Sequence, residues 1–222
     1  MEHQDSSFDQ ELADLNDSLL KMGVMVKDLI HKSVDALKRR DRDLARQVIK
    51  DDVDVDQLEL VIDDKAINLI ALRQPKAGDL RFILAGMRLA TDLERIGDLA
   101  ESIAERCIEL ADQPLVKPLV DIPRMAELAE GSLSKVLDAF VNRDPDKAKE
   151  IWPVEQKIDD LRDRVHDELI EIMSNSPNST HRAIPLLLAA RHLERIGDHI
   201  TNIAEDIVYM VEGEVIKHGG ML

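Results

Sequence analysis

The segment Leu93-Glu94-Arg95-Ile96-Gly97-Asp98 returns unchanged as Leu193-Glu194-Arg195-Ile196-Gly197-Asp198, and Ile103-Ala104-Glu105 returns as Ile203-Ala204-Glu205 at the same offset of one hundred positions. Solenoid and propeller repeats have periods of about 20–50 residues, so this spacing marks a duplicated domain rather than a stacked array. What was copied includes a Glu-x-x-x-Asp pair, two acids one helical turn apart.

The hydrophobic pattern says what each copy folds into. Leu12, Leu15, Leu19, Met22, Val26, Leu29 and Ile30 recur at threes and fours, the period of an amphipathic helix running from about Phe8 to Arg40. Asp41-Arg42-Asp43 is a polar turn. A second helix follows and must stop before Pro75, which cannot continue inside a helix. A third starts near Lys76, carries Leu80, Ile83, Leu84, Met87, Leu93, Ile96, Ala100 and Ile103, and ends near Ala111. Pro114, Pro118 and Pro123 then punctuate a linker.

The second half repeats the plan. Asp35-Ala36 and Arg40-Asp41 match Asp138-Ala139 and Arg143-Asp144, Pro75 matches Pro177, and Arg81 matches Arg182. The offset shrinks along the chain, which places small deletions in the loop before each third helix, where they are tolerated. The expected fold is all-α, two tandem three-helix bundles over residues 1–113 and 124–222 with a linker at 114–123. Pro153, just after the lone Trp152, requires the fifth helix either to kink or to restart there.

Composition agrees with helices. Apolar residues make up 44 % of the chain but aromatics only 2 %, with Leu, Ile, Val, Ala and Met supplying the rest. The net charge of −16 opposes binding to nucleic acid or anionic lipid, which needs clustered Lys and Arg, and instead suits cations or a basic partner. The single cysteine, Cys107, excludes an intramolecular disulfide and reads as a small buried hydrophobe in a reducing compartment. The acidic N-terminus is unlike a signal peptide, and no run approaches the ~20 apolar residues of a membrane span. A cytoplasmic location is expected.

Counting about 100° per residue assigns the faces of helix three. Leu89, Leu93, Ile96, Ala100 and Ile103 form a core stripe, and Glu94, Asp98, Glu101 and Glu105 fall on the opposite side. In the last helix Leu193, Ile196, Ile200, Ile203 and Ile207 face inward, and Glu194, Asp198 and Glu205 outward. The bland reading of such acids is a solvated helix face. Against it, like charges four apart repel, with no basic residue at the intervening turn position to relieve them. The second helix of each half also carries the spacing, as Asp52-x-x-x-Asp56 and Glu155-x-x-x-Asp159. Side by side, two helices per half bring four carboxylates to one patch, self-repelling unless a multivalent cation neutralises it. All-oxygen ligation suits iron, manganese, magnesium or calcium, whereas zinc recruits His or Cys. Gly97 and Gly197, costly in mid-helix by about 1 kcal/mol, fit a close approach of a neighbouring helix or ion.

Nothing in the sequence matches a known catalytic arrangement. There is no Glu-x-x-His of the di-iron bundles, no P-loop and no nucleophile elbow. His166, His192 and His199 read as solvated helix residues.

Taken with Arg73-Gln74-Pro75, Asp79-Leu80-Arg81 and Asn202-Ile203-Ala204-Glu205, the duplicated hexapeptide resembles the PhoU family of bacterial phosphate-transport regulators over nearly the full length. Helix stop and restart signals also account for Pro75 and Asp79 without invoking function. The resemblance implies two three-helix bundles with metal clusters on Glu/Asp-x-x-x-Asp motifs: Asp52, Asp56, Glu94 and Asp98 in the first half, Glu155, Asp159, Glu194 and Asp198 in the second. It further implies a commonly dimeric adaptor between a phosphate ABC transporter and a sensor histidine kinase, repressing the phosphate-starvation response. Gly78 departs from the family's larger, often basic residue, and Ser102 stands where the second half has Asn202. Two other classes compete with the adaptor: a metal-dependent enzyme on phosphorylated substrates and a metal-free helical scaffold.

Overall fold

A computed structural model describes residues 2–213, 216–217 and 220–221. The first half is three long helices, α1 (Glu2–Arg39), α2 (Arg42–Arg73) and α3 (Ala77–Leu110). The second is α4 (Asp121–Asn142), the short α5 (Pro145–Lys149), α6 (Trp152–Asn175) and α7 (Thr180–Glu212), with one 3-10 turn at Pro177–Ser179. A two-residue antiparallel ladder, Ile216–Lys217 on Gly220–Met221, is the extended structure among the described residues. The all-α, duplicated plan expected from the sequence is what forms.

The repeated Arg-Asp dipeptide is a helix-to-helix joint in both halves. Arg40 and Arg143 take left-handed φ values of 57° and 51°, which turns the chain out of α1 and α4. The aspartate that follows caps the next helix: the Asp41 carboxylate accepts from the Asp43 and Leu44 amides, and Asp144 from the Lys147 amide, all at 3.0 Å. Such caps satisfy amides that a helix start leaves without partners. The repeated arginines Arg81 and Arg182 likewise donate to backbone carbonyls, of Met210 at 3.2 Å and Pro114 at 3.0 Å. Their recurrence reflects chain tethering.

Pro153 restarts the chain rather than kinking it. The fifth stretch breaks after Lys149, and α6 begins at Trp152 with Pro153 in its first turn, where a missing N–H costs nothing. Pro123 lies inside the first turn of α4, so the connection between the halves is 111–120.

The two bundles pack side by side, α3 along α7 and α1 along α4, and share one continuous buried core. Gly23 sets the distance between α1 and α4: a Cβ there would lie 2.5 Å from Leu137 Cδ1. Polar ties cross the same seam. Arg88 pairs with Asp206 at 2.8 Å, Lys27 donates to Ser134 at 2.8 Å, and His199 Nδ1 lies 2.8 Å from Asp92. The solvated role expected for His199 is therefore corrected, since its mostly covered ring joins α7 to α3. His192 is also half-buried, and burial, with Arg106 and Arg195 nearby, lowers its pKa. His166 is exposed as expected. Cys107 is fully buried, and desolvation pushes its thiol up to about 11, the state of an inert core residue.

Candidate metal centre

In the first half the paired acids line the groove where α2 packs along α3. Asp56 there is exposed, but Glu94 and Asp98 are half-buried and Asp52 is buried, so the outward assignment is corrected for the covered ones. A helical wheel identifies the core stripe, but each flank of a bundle helix is also partly covered by a neighbour. Here α2 covers the flank of α3 that carries Gly97. Asp52 is only 4 % exposed, and a Cβ on Gly97 would lie 2.5 Å from its Oδ1. The missing side chain at 97 is what lets the Asp52 carboxylate reach the groove.

Two groups of three carboxylates meet there. Asp52, Asp98 and Glu101 each offer an oxygen within 4.8 Å of the others, as do Asp56, Glu94 and Asp98. Asp98 belongs to both. All four acids expected in the first half converge, and Glu101 joins them. Glu101 escapes a search limited to acids present in both halves, because the repeat has Thr201 at its place. The available signal was local, since Glu101 lies three residues beyond Asp98.

The electrostatics are those of crowded anions. Burial, then the charges of Asp56, Glu101, Asp98 and Glu94, push Asp52 up to about 7. The pKa values of Asp56, Glu94 and Glu101 are also raised, chiefly by burial and then by their acidic neighbours. One cation relieves them, contrary to the reading of the spacing: Arg95 lies 3.2 Å from Asp98 and 3.4 Å from Glu94. It leaves Asp52 Oδ1 buried without a hydrogen-bond partner. An orphaned buried acceptor among carboxylates fits a hard cation, which would take these oxygens as ligands and hold Asp52 ionised.

The second half differs. Burial raises the pKa values of Asp159 and Glu194, and each is influenced by Asp198, so these three lie near one another. Glu155 is half-buried at the matching place on α6. Among the described residues these acids form no group of three within ligand distance. Arg162 enters instead, 3.8 Å from Glu194, and Arg191 also lowers the Glu194 pKa. Aligned through the duplication, Arg162 stands where the first half has Glu59, and Arg191 where it has Thr91.

Fold and groove together define a class: duplicated helical bundles with paired acids on the second and third helices of each half, gathered closely in the first. The model of the PhoU domain matches this chain twice, at residues 19–107 and 122–207. The chain belongs to the PhoU family. It is 41 % identical to the phosphate-specific transport system accessory protein PhoU homolog of Rhizobium meliloti, covering 95 % of this chain and 90 % of that one. The homolog of Aquifex aeolicus is 39 % identical, covering 94 % and 95 %. The crystal structure of PhoU from Pseudomonas aeruginosa superposes with a TM-score of 0.89 at 35 % identity, covering 93 % of this chain and 99 % of that one. That of the phosphate transport system regulatory protein PhoU from Streptococcus pneumoniae gives 0.88 at 31 % identity, covering 95 % and 99 %.

Proposed function

We propose that this chain is an accessory regulator of phosphate-specific transport, a cytoplasmic adaptor that binds multivalent cations in its α2–α3 groove. The regulatory part is supported by kinship over nearly the whole chain with proteins named as phosphate-specific transport system accessory proteins. Among the described residues no helix is long and apolar enough to cross a membrane, so the chain would act by docking on the transporter. The strongly acidic surface disfavours direct binding to DNA. An effect on transcription would then pass through a sensor histidine kinase, with the adaptor holding the kinase silent while phosphate is plentiful.

The metal part rests on one observation, the buried Asp52 oxygen that has no partner and faces four further carboxylates. A cation there would join α2 to α3 and remove the repulsion between them. Iron, manganese and magnesium all suit an all-carboxylate set.

Deleting the gene tests the regulatory reading. Phosphate-starvation genes should switch on in phosphate-rich medium, and only while the kinase gene is intact. Unchanged expression in a strain without a second copy would overturn the adaptor role. Elemental analysis of the purified protein tests the cation separately, and a protein that holds no metal after exposure to each candidate ion would overturn that part alone.

A further inference from the structure

The outer face of α2 is more apolar than the fold requires. Val53, Leu60 and Ile67, at seven-residue spacing, are 50 %, 65 % and 54 % exposed, and Val61 and Leu72 beside them are 47 % and 77 % exposed. On a helix turning by 100° per residue, all five fall within a sector of about 140°. The duplication supplies a control. On α6 the corresponding places are Gln156, Asp163, Ile170, Arg164 and Asn175, so four of the five are polar. The same helix position in the same bundle therefore folds without an apolar outer face.

Charge follows the same division. Asp54 and Asp64 flank the apolar residues and pair with no cation among the described residues. Lys65 is turned toward α1, donating to Ser18 Oγ at 2.8 Å and the Asp14 carbonyl at 3.3 Å. On α6 the matching surface neutralises itself, with Arg164 on Asp121 at 2.7 Å and Arg162 on Asp163 at 2.9 Å. Near Leu72 a cavity of about 460 Å³, lined by Leu69, Asn68, Lys65, Glu11 and Asp14, opens between α1 and α2.

We propose that this face docks an amphipathic helix of another protein, with Lys or Arg beside apolar residues at helical spacing. Contiguous exposed apolar surface marks interaction sites, and helices dock through such seven-residue anchor patterns. The unpaired aspartates select the occupant. A second copy of α2 would set acid against acid, anionic lipid would be repelled, and a basic helix would be attracted.

The test uses the full-length protein and three synthetic helical peptides of eighteen residues. One carries a leucine face flanked by lysines, the second has glutamates for the lysines, and the third scrambles the first so that no apolar face forms. The Leu-Lys helix should bind, and the other two should bind at least about tenfold more weakly. L60S/I67S, which leaves the charge unchanged, should weaken binding of the Leu-Lys helix by about tenfold or more, while Ile170→Ser on α6 should not. Thermal melts establish that the variants fold, as substitutions at exposed positions allow. Equal binding to wild type and L60S/I67S would overturn the proposal, as would equal binding of the scrambled peptide. A wild-type dimer that L60S/I67S converts to monomer in sedimentation would also overturn it, assigning the face to a second copy.

Discussion

At eight aligned positions, the α2–α3 groove has Asp52, Asp56, Glu59, Thr91, Glu94, Arg95, Asp98 and Glu101, and the α6–α7 groove has Glu155, Asp159, Arg162, Arg191, Glu194, Arg195, Asp198 and Thr201. Six carboxylates and one arginine stand against four carboxylates and three arginines. The backbone plan is shared, down to the glycine in the hexapeptide. The difference teaches that one duplicated motif can stand in two electrostatic settings. In the second half Arg162 and Arg191 partly offset the raised pKa of Glu194, whose Oε2 stays buried without a hydrogen-bond partner, as Asp52 Oδ1 does in the first. The shared Glu-x-x-x-Asp spacing positions acids, and the residues around it decide whether their charge stays uncompensated.

The largest effect expected from this contrast is on stability. Asp52→Asn should stabilise the metal-free protein by ~2–4 kcal/mol at pH 8, because one pKa unit corresponds to about 1.4 kcal/mol. The sign follows from proton linkage. Asp52 is raised from 3.8 to about 7 on folding, so between those values the folded state holds a proton that the unfolded state has released. Its contribution is present at low pH and is lost as pH rises through 7. Denaturant melts from pH 4 to 8 should show that fall in wild type and its loss in Asp52→Asn, with Asp159→Asn changing the profile less. A wild-type stability that rises between pH 5 and 8 without metal would break the comparison.

The glycines give the next effect. Gly97→Ala drives a methyl into Asp52 and should cost ~1–3 kcal/mol, the range for overpacking. At Gly197 the nearest atom to an added Cβ is Ile158 Cδ1 at 3.5 Å, an ordinary contact. Gly197→Ala should therefore stabilise by up to about 1 kcal/mol through helix propensity. Equal effects at the two sites would show that α2 does not approach α3 more closely than α6 approaches α7 at this point.

The smallest effect concerns the internal cation. Arg162→Gln removes the guanidinium beside Glu194 and should tighten metal binding in the second half by about tenfold, ~1.4 kcal/mol. Calorimetric titration of a variant whose first-half site is disabled by Asp98→Asn isolates that change. No change would mean that Arg162 does not compete with a cation.

Much of this was legible in the sequence, for identifiable reasons. Helical period, Pro75 and the repeated Arg-Asp joints act within a few residues, so they fix where helices begin and end. The duplication supplied a second copy of the helix boundaries and of the paired acids. The burial of Asp52 was not legible, because it depends on how closely α2 approaches α3, a distance between elements far apart in sequence. Gly97 hinted at that approach without naming the residue that fills the space. Glu101 and the opposing Arg162 escaped for the converse reason: a search for what the halves share discards what distinguishes them. The pairing of His199 with Asp92 arises only because the two bundles pack together.

Metal loading of three proteins, measured by native mass spectrometry after exposure to manganese or iron and removal of weakly held ions, tests the central contrast most directly. The proteins are wild type, D52N/D98N and E194A/D198A. Wild type should retain tightly held metal, and D52N/D98N should lose it, with affinity falling by at least about 100-fold. E194A/D198A should retain what wild type holds. Metal lost equally from both variants, or lost from E194A/D198A alone, would contradict the account.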